Sequence, residues 1–121
     1  MQERRKHPRI SVDLPATVRL SHHRIATVKI IELSVEGVRF LCLEAPGINS
    51  EVELRFSLPS HRIVHELRLM ANVRHLFDVI AMTDKESDYR YVAGVSFVSL
   101  HEHDRIALEK FVTESSVPGV H

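Results

Sequence analysis

The chain has 121 residues, 16 Lys and Arg against 16 Asp and Glu, and 44% hydrophobic residues. That length predicts one domain, and the apolar content excludes a disordered chain. A net charge of zero excludes capture of a nucleic acid polymer or membrane surface by charge alone. Yet the charge is uneven. Residues 1–40 hold eight cations and four anions, an excess of +4, and residues 41–121 hold eight and twelve, an excess of −4. Most of the positive excess lies in one run, Glu3-Arg4-Arg5-Lys6-His7-Pro8-Arg9. The single cysteine, Cys42, excludes an intramolecular disulfide and fits a reducing compartment. The charged N-terminus is not followed by an apolar run, and no stretch approaches ~18 uninterrupted apolar residues. A cytoplasmic protein with no membrane insertion is expected.

Residues 1–10 are polar and cationic, and Pro8 opposes a helix there. They predict a flexible basic arm. From Ser11 the chain takes on β character. Residues 12–20 predict a first strand, with Pro15 marking an edge or a strand start. The turn Ser21-His22-His23-Arg24 leads to a second strand over 25–33. Ser34-Val35-Glu36-Gly37 is a tight turn before a third strand over 38–43. A loop with Pro46-Gly47 follows. Residues 51–58 alternate apolar and polar without exception, the clearest half-buried strand in the chain. Residues 65–74 alternate as well, with Leu67, Leu69, Ala71 and Val73 on the core side and Met70 as the exception on the polar side. A charged loop at 84–88 precedes a last strand over 89–98.

The period then changes. Ser99 and Glu102 fit a capping box, and Leu100, Ala107, Leu108 and Phe111 share one face of a helix over about 100–114. Residues 116–121 read as a frayed tail. Six antiparallel strands and one packed helix predict an all-β fold: a small barrel over 11–115 with a C-terminal α-helix.

Two segments stand out together: Arg5-Lys6-His7-Pro8-Arg9, an R-x-x-x-R spacing, and Glu32-Leu33-Ser34-Val35-Glu36-Gly37 at a strand end. With these residues the chain resembles the PilZ domain family, whose pattern is R-x-x-x-R followed by [D/N]-x-S-x-x-G in a six-stranded split barrel with a C-terminal helix. The late strand Gly94-Val95-Ser96-Phe97 and a helix with Arg105, Leu108 and Phe111 are similar too. The resemblance covers nearly the whole chain. It implies a receptor for the bacterial second messenger cyclic di-GMP, held by Arg5, Arg9, Ser34 and Gly37. Arg4 would add a third guanidinium. In the family a basic residue there accompanies two intercalated ligand molecules per chain. Glu32 is the departure, because it stands where the family has Asp or Asn.

The side-chain chemistry is compatible with that reading. Guanidinium forks meet phosphate oxygens bidentately and stack on bases. Arg5 and Arg9 on an extended arm reach about 13 Å, the scale of a folded dinucleotide. A serine hydroxyl can donate or accept, and a glycine allows positive φ and close ligand approach. A glutamate can accept from guanine N–H groups, although its extra methylene either weakens binding or lets the group turn elsewhere. Arg74 and His75 lie on the long strand that could flank the ligand, and Arg74 is an additional candidate phosphate contact. Four cations within six residues repel, so the arm is expected to be loose until an anionic ligand orders it and creates a surface for a protein effector.

No metal, cofactor or catalysis is expected. The nine histidines lack the cysteines and four-ligand spacing of zinc sites, and no nucleophile, paired-acid or nucleotide-loop motif is present. Binding of single-stranded nucleic acid would need more stacking aromatics than 6%. The rival reading is a PilZ-like interaction or assembly protein, for instance in pilus biogenesis, that does not bind nucleotide. A monomer or weak dimer fits either reading.

Overall fold

The computed structural model describes residues 8–20, 24–59, 64–79 and 89–116. The arm residues Arg4 and Arg5, the turn at 21–23, the charged loop at 84–88 and the tail from 117 lie outside the described residues. Six strands run β1 (Ile10–Arg19), β2 (Ile25–Leu33), β3 (Gly37–Cys42), β4 (Glu51–Leu58), β5 (His65–Asp78) and β6 (Tyr91–Phe97), followed by the helix α1 (Glu102–Ser116). All neighbours are antiparallel, and they close into a barrel in the order β1-β2-β3-β6-β5-β4. The expected six-stranded barrel with one C-terminal helix is therefore what forms.

Period-two patterning explains the core. Val52, Leu54, Phe56 and Leu58 of β4 and Leu67, Leu69, Ala71 and Val73 of β5 point inward and are buried. Leu14, Ala16, Val18, Val28, Ile30 and Phe40 fill the same interior. Closure removes the free edges an open sheet would present. Pro15 lies within β1, opposite Lys29 of β2. It is tolerated because the ladder to β4 begins only at Ala16, so its missing N–H falls where β1 is paired on one side. Ile10, at the end of the stretch read as arm, is the first residue of β1 and is buried in the core.

The capping box does not form. α1 starts at Glu102, and the Arg105 amide donates to the His101 carbonyl at 2.9 Å, which makes His101 the cap. Arg105 instead takes the Glu102 carboxylate at 2.6 Å and Glu109 at 3.0 Å. Its hydrogen bond and charge hold the Glu102 carboxyl below the usual range. Asp104 in the first turn is buried, with His65 of β5 at 3.3 Å and His103 at 3.4 Å from the same oxygen. Leu108 and Val112 anchor the helix in the barrel core, and the helix packs against β1. No helix is long and apolar enough to cross a membrane among the described residues.

β5 is longer than its alternation predicts. Val73 pairs with Val95, but His75 pairs with Gly94, so Arg74 is an extra residue in the ladder. That bulge sends both Arg74 and His75 outward and reverses the parity beyond it. The inward–outward rhythm therefore stops at 74 while the strand continues to Asp78.

Candidate functional site

The site begins with the β2–β3 turn. Ser34 is buried, and its hydroxyl oxygen accepts from the Glu36 amide at 3.0 Å and the Gly37 amide at 3.3 Å. The hydroxyl hydrogen points to the Gly37 carbonyl at 3.4 Å, and the Ser34 amide donates to that same carbonyl at 3.0 Å. Ser34 thus ties the turn from within, as serines do when their side chain mimics a backbone partner. The turn is fastened to β6 by the Phe97 amide, which donates to the Glu36 carbonyl at 2.8 Å.

Gly37 is required by packing, not by a left-handed backbone. A Cβ built there would lie 2.0 Å from the Val95 carbonyl oxygen and 3.0 Å from its carbon. β3 approaches β6 so closely that only glycine fits.

Glu32, the penultimate residue of β2, follows a bulge at Ile31, which places it opposite Arg39 of β3. Its Oε1 lies 3.4 Å from Arg9 Nη1 and 3.6 Å from Arg39 Nε. One carboxylate thus serves two guanidiniums. Both pairs are about a third or more exposed, so each stabilises by no more than ~1 kcal/mol.

The strand register then carries the outer face across the barrel. Glu32 sits opposite Arg39, Arg39 opposite Gly94, and Gly94 opposite His75. A cleft of about 130 Å³ follows this row, lined by Arg9, Glu32, the Ser34–Gly37 turn, Arg39, Arg74 and His75. Arg9, Glu32, Ser34, Gly37 and Arg74, all singled out from the sequence, are brought together here. Arg4 and Arg5 lie outside the described residues. Arg39 was missed by sequence reasoning, although its outward place two residues after Gly37 follows from the β3 alternation. Chemically, the cleft offers three guanidiniums, one shared carboxylate and an exposed imidazole.

Solved structures share this architecture. The motility inhibitor MotI (DgrA) of Bacillus subtilis superposes with a TM-score of 0.82 at 15% identity, over 99% of this chain and 55% of that one. The PilZ domain of Escherichia coli YcgR, solved with c-di-GMP, gives 0.72 at 12% identity, over 93% of this chain and 91% of that one. MrkH of Klebsiella pneumonia in its c-di-GMP complex gives 0.70 at 15% identity, over 94% of this chain and 53% of that one. At such identities the likeness is one of fold, and the chain spans about half the length of MotI and MrkH. Comparison with curated proteins gave no match. The family model of the PilZ domain, however, matches residues 3–114, nearly the full barrel and helix. This chain belongs to the PilZ domain family.

Proposed function

We propose that the chain is a receptor for cyclic di-GMP that acts as a ligand-gated adaptor rather than an enzyme. The observation that carries this reading is the convergence of Arg9, Glu32, the Ser34–Gly37 turn and Arg74 on one cleft in a PilZ barrel. The c-di-GMP held by the YcgR domain and by MrkH supports the choice of ligand. In this reading Arg5 and Arg9 clamp the phosphates, and Arg4 is the third clamp when two ligand molecules bind. Arg74 adds a phosphate contact at the far end of the cleft. Ser34 and Gly37 act by shape, since the hydroxyl is already committed to the turn and the glycine keeps β3 against β6.

Glu32 must share or surrender Arg9 when the ligand arrives. An exposed pair worth ~0.2–1 kcal/mol yields readily to charge-assisted hydrogen bonds worth ~1.5–3 kcal/mol each. The released carboxylate can then accept from guanine N–H donors. A micromolar ligand contributes about −8 kcal/mol, enough to order several residues of the basic arm and present a new surface to an effector.

Titration calorimetry with cyclic di-GMP tests this. Wild type should bind at micromolar affinity or better, and Arg5→Ala or Arg9→Ala should lose about 2–5 kcal/mol. A ratio of two ligands per chain that falls to one in Arg4→Leu assigns the third clamp. Absence of heat with folded protein overturns the reading. One observation favours the rival, an interaction protein without nucleotide: Glu32 already neutralises Arg9 and Arg39. Tighter binding by Glu32→Asp would identify the longer acid as a handicap in a working receptor.

A further inference from the structure

A second cluster of charge lies away from the cleft, on the outer face built from β1, β4 and the first half of β5. There Arg19 stands opposite Glu53, and Glu53 opposite Met70. In the next row Thr17 stands opposite Arg55, and Arg55 opposite Arg68. All six point outward, because Ala16, Val18, Leu54, Phe56, Leu67 and Leu69 alternate with them and fill the core. Three guanidiniums thus surround one carboxylate. Arg19 Nε lies 3.4 Å from one Glu53 oxygen, and Arg68 Nε lies 4.0 Å from the other. Both oxygens are taken, and Arg55 makes no ion pair among the described residues. The next acid on this face, Glu66 of β5, sits only diagonally from Arg55 and is open to solvent.

This arrangement costs stability. Like charges directly opposite on paired strands repel, and Arg55 faces Arg68 across the β4–β5 ladder. Residues 41–121 carry four more anions than cations, yet two of their cations are set against each other here. Arg55 is also half-buried, so solvent and salt screen its charge less than that of a free surface side chain. Beside the cluster the face turns apolar. Met70 is 38% exposed, and Val98, whose amide donates to the Met70 carbonyl at 2.9 Å, is 47% exposed. Arginine and methionine are enriched where proteins meet, and a cation excess beside an apolar patch is complemented by an acidic segment. No aromatic side chain stands in these two rows to stack on a base, which disfavours a nucleic acid. The carboxylate of Glu53 at the centre disfavours a field of lipid phosphates.

We infer that the Arg19–Arg55–Arg68 cluster docks an acidic helix of a partner protein. Two of its carboxylates, one turn apart, meet Arg55 and Arg68, and an apolar side chain beside them covers Met70 and Val98. The spacing argues for a helix. Opposite Cβ atoms on antiparallel strands are ~4.5–5.5 Å apart, and those at i and i+4 of a helix are ~5–6 Å apart. Each guanidinium then offers its planar fork to one carboxylate. The partner's charge offsets the repulsion that the free chain carries. This surface is separate from the cleft, and docking on it requires no cyclic di-GMP.

The test titrates isotope-labelled protein, without cyclic di-GMP, with an alanine-based helical peptide. The peptide carries glutamates at i and i+4 and a leucine one turn further on, and a second peptide has glutamine at both acidic positions. The glutamate peptide should shift the NMR signals of the Arg55, Arg68, Met70 and Val98 amides, and the glutamine peptide should not. The double variant Arg55→Gln/Arg68→Gln should bind the glutamate peptide about tenfold or more weakly. Arg55→Gln should melt no lower than wild type, because it relieves the opposition to Arg68. An early melt of Arg55→Gln overturns the inference, since it assigns that guanidinium to folding. Equal response to both peptides, shifts confined to the cleft around Arg9 and Arg39, or undiminished binding by the double variant also overturn it. Phosphatidylglycerol vesicles that bind wild type but not the double variant, where the glutamate peptide binds neither, overturn it in favour of a membrane surface.

Discussion

At Gly37 of β3 an added methyl group would collide with the Val95 carbonyl at 2.0 Å, and the obstacle is backbone. Gly37→Ala should therefore destabilise at the upper end of the ~1–3 kcal/mol typical of overpacking, or beyond it, seen as an early urea midpoint. Cys42 shows how burial alone sets a residue's chemistry. Loss of solvation raises its thiol from the usual 9.0 to about 11. Between those values the unfolded thiol has given up its proton and the folded one has not. The contribution is thus present in full below pH 9.0 and is lost as the pH rises towards 11. Urea unfolding at pH 8 and pH 11 should show wild type losing about 2–3 kcal/mol more than Cys42→Ala across that interval. The cleft's five described candidates were legible because their types and spacing are chemical signals. Ser34 was legible as a site residue but not in its manner of acting, because the spacing does not reveal that its hydroxyl turns inward to Glu36 and Gly37.

Elements were readable wherever one rhythm ran unbroken. β4 alternates without exception, and both its ends match the pattern. β5 outruns its pattern by four residues because the Arg74 bulge inverts parity, and a bulge leaves no mark in composition. The start of α1 misled for a different reason. Ser99 and Glu102 have capping-box spacing, but Arg105 one turn later competes for Glu102 and wins with two carboxylates in reach. What holds α1 to the barrel is its apolar stripe and the buried Asp104 between His65 and His103. Leu108 is fully buried, so Leu108→Ala should cost about 2–5 kcal/mol in urea denaturation.

At the scale of the whole molecule, the net charge of zero is the sum of a basic N-terminal stretch and an acidic remainder. Closure of the barrel brings part of that basic stretch into use. It sets Arg9 and Arg39 against Glu32 on one face and carries Arg74 to the same cleft from the other side of β6. By itself the sequence determined the strand count, the terminal helix, the inward face of most strands and the two motif segments. These are local matters, written in period, turn residues and spacing. Only the tertiary structure decided which outward residues share a row. The register across four strands depends on where the bulges at Ile31 and Arg74 fall and on how closely β3 meets β6 at Gly37. Because one residue of register moves every side chain to the other face, the row Glu32–Arg39–Gly94–His75 exists only once the barrel has closed.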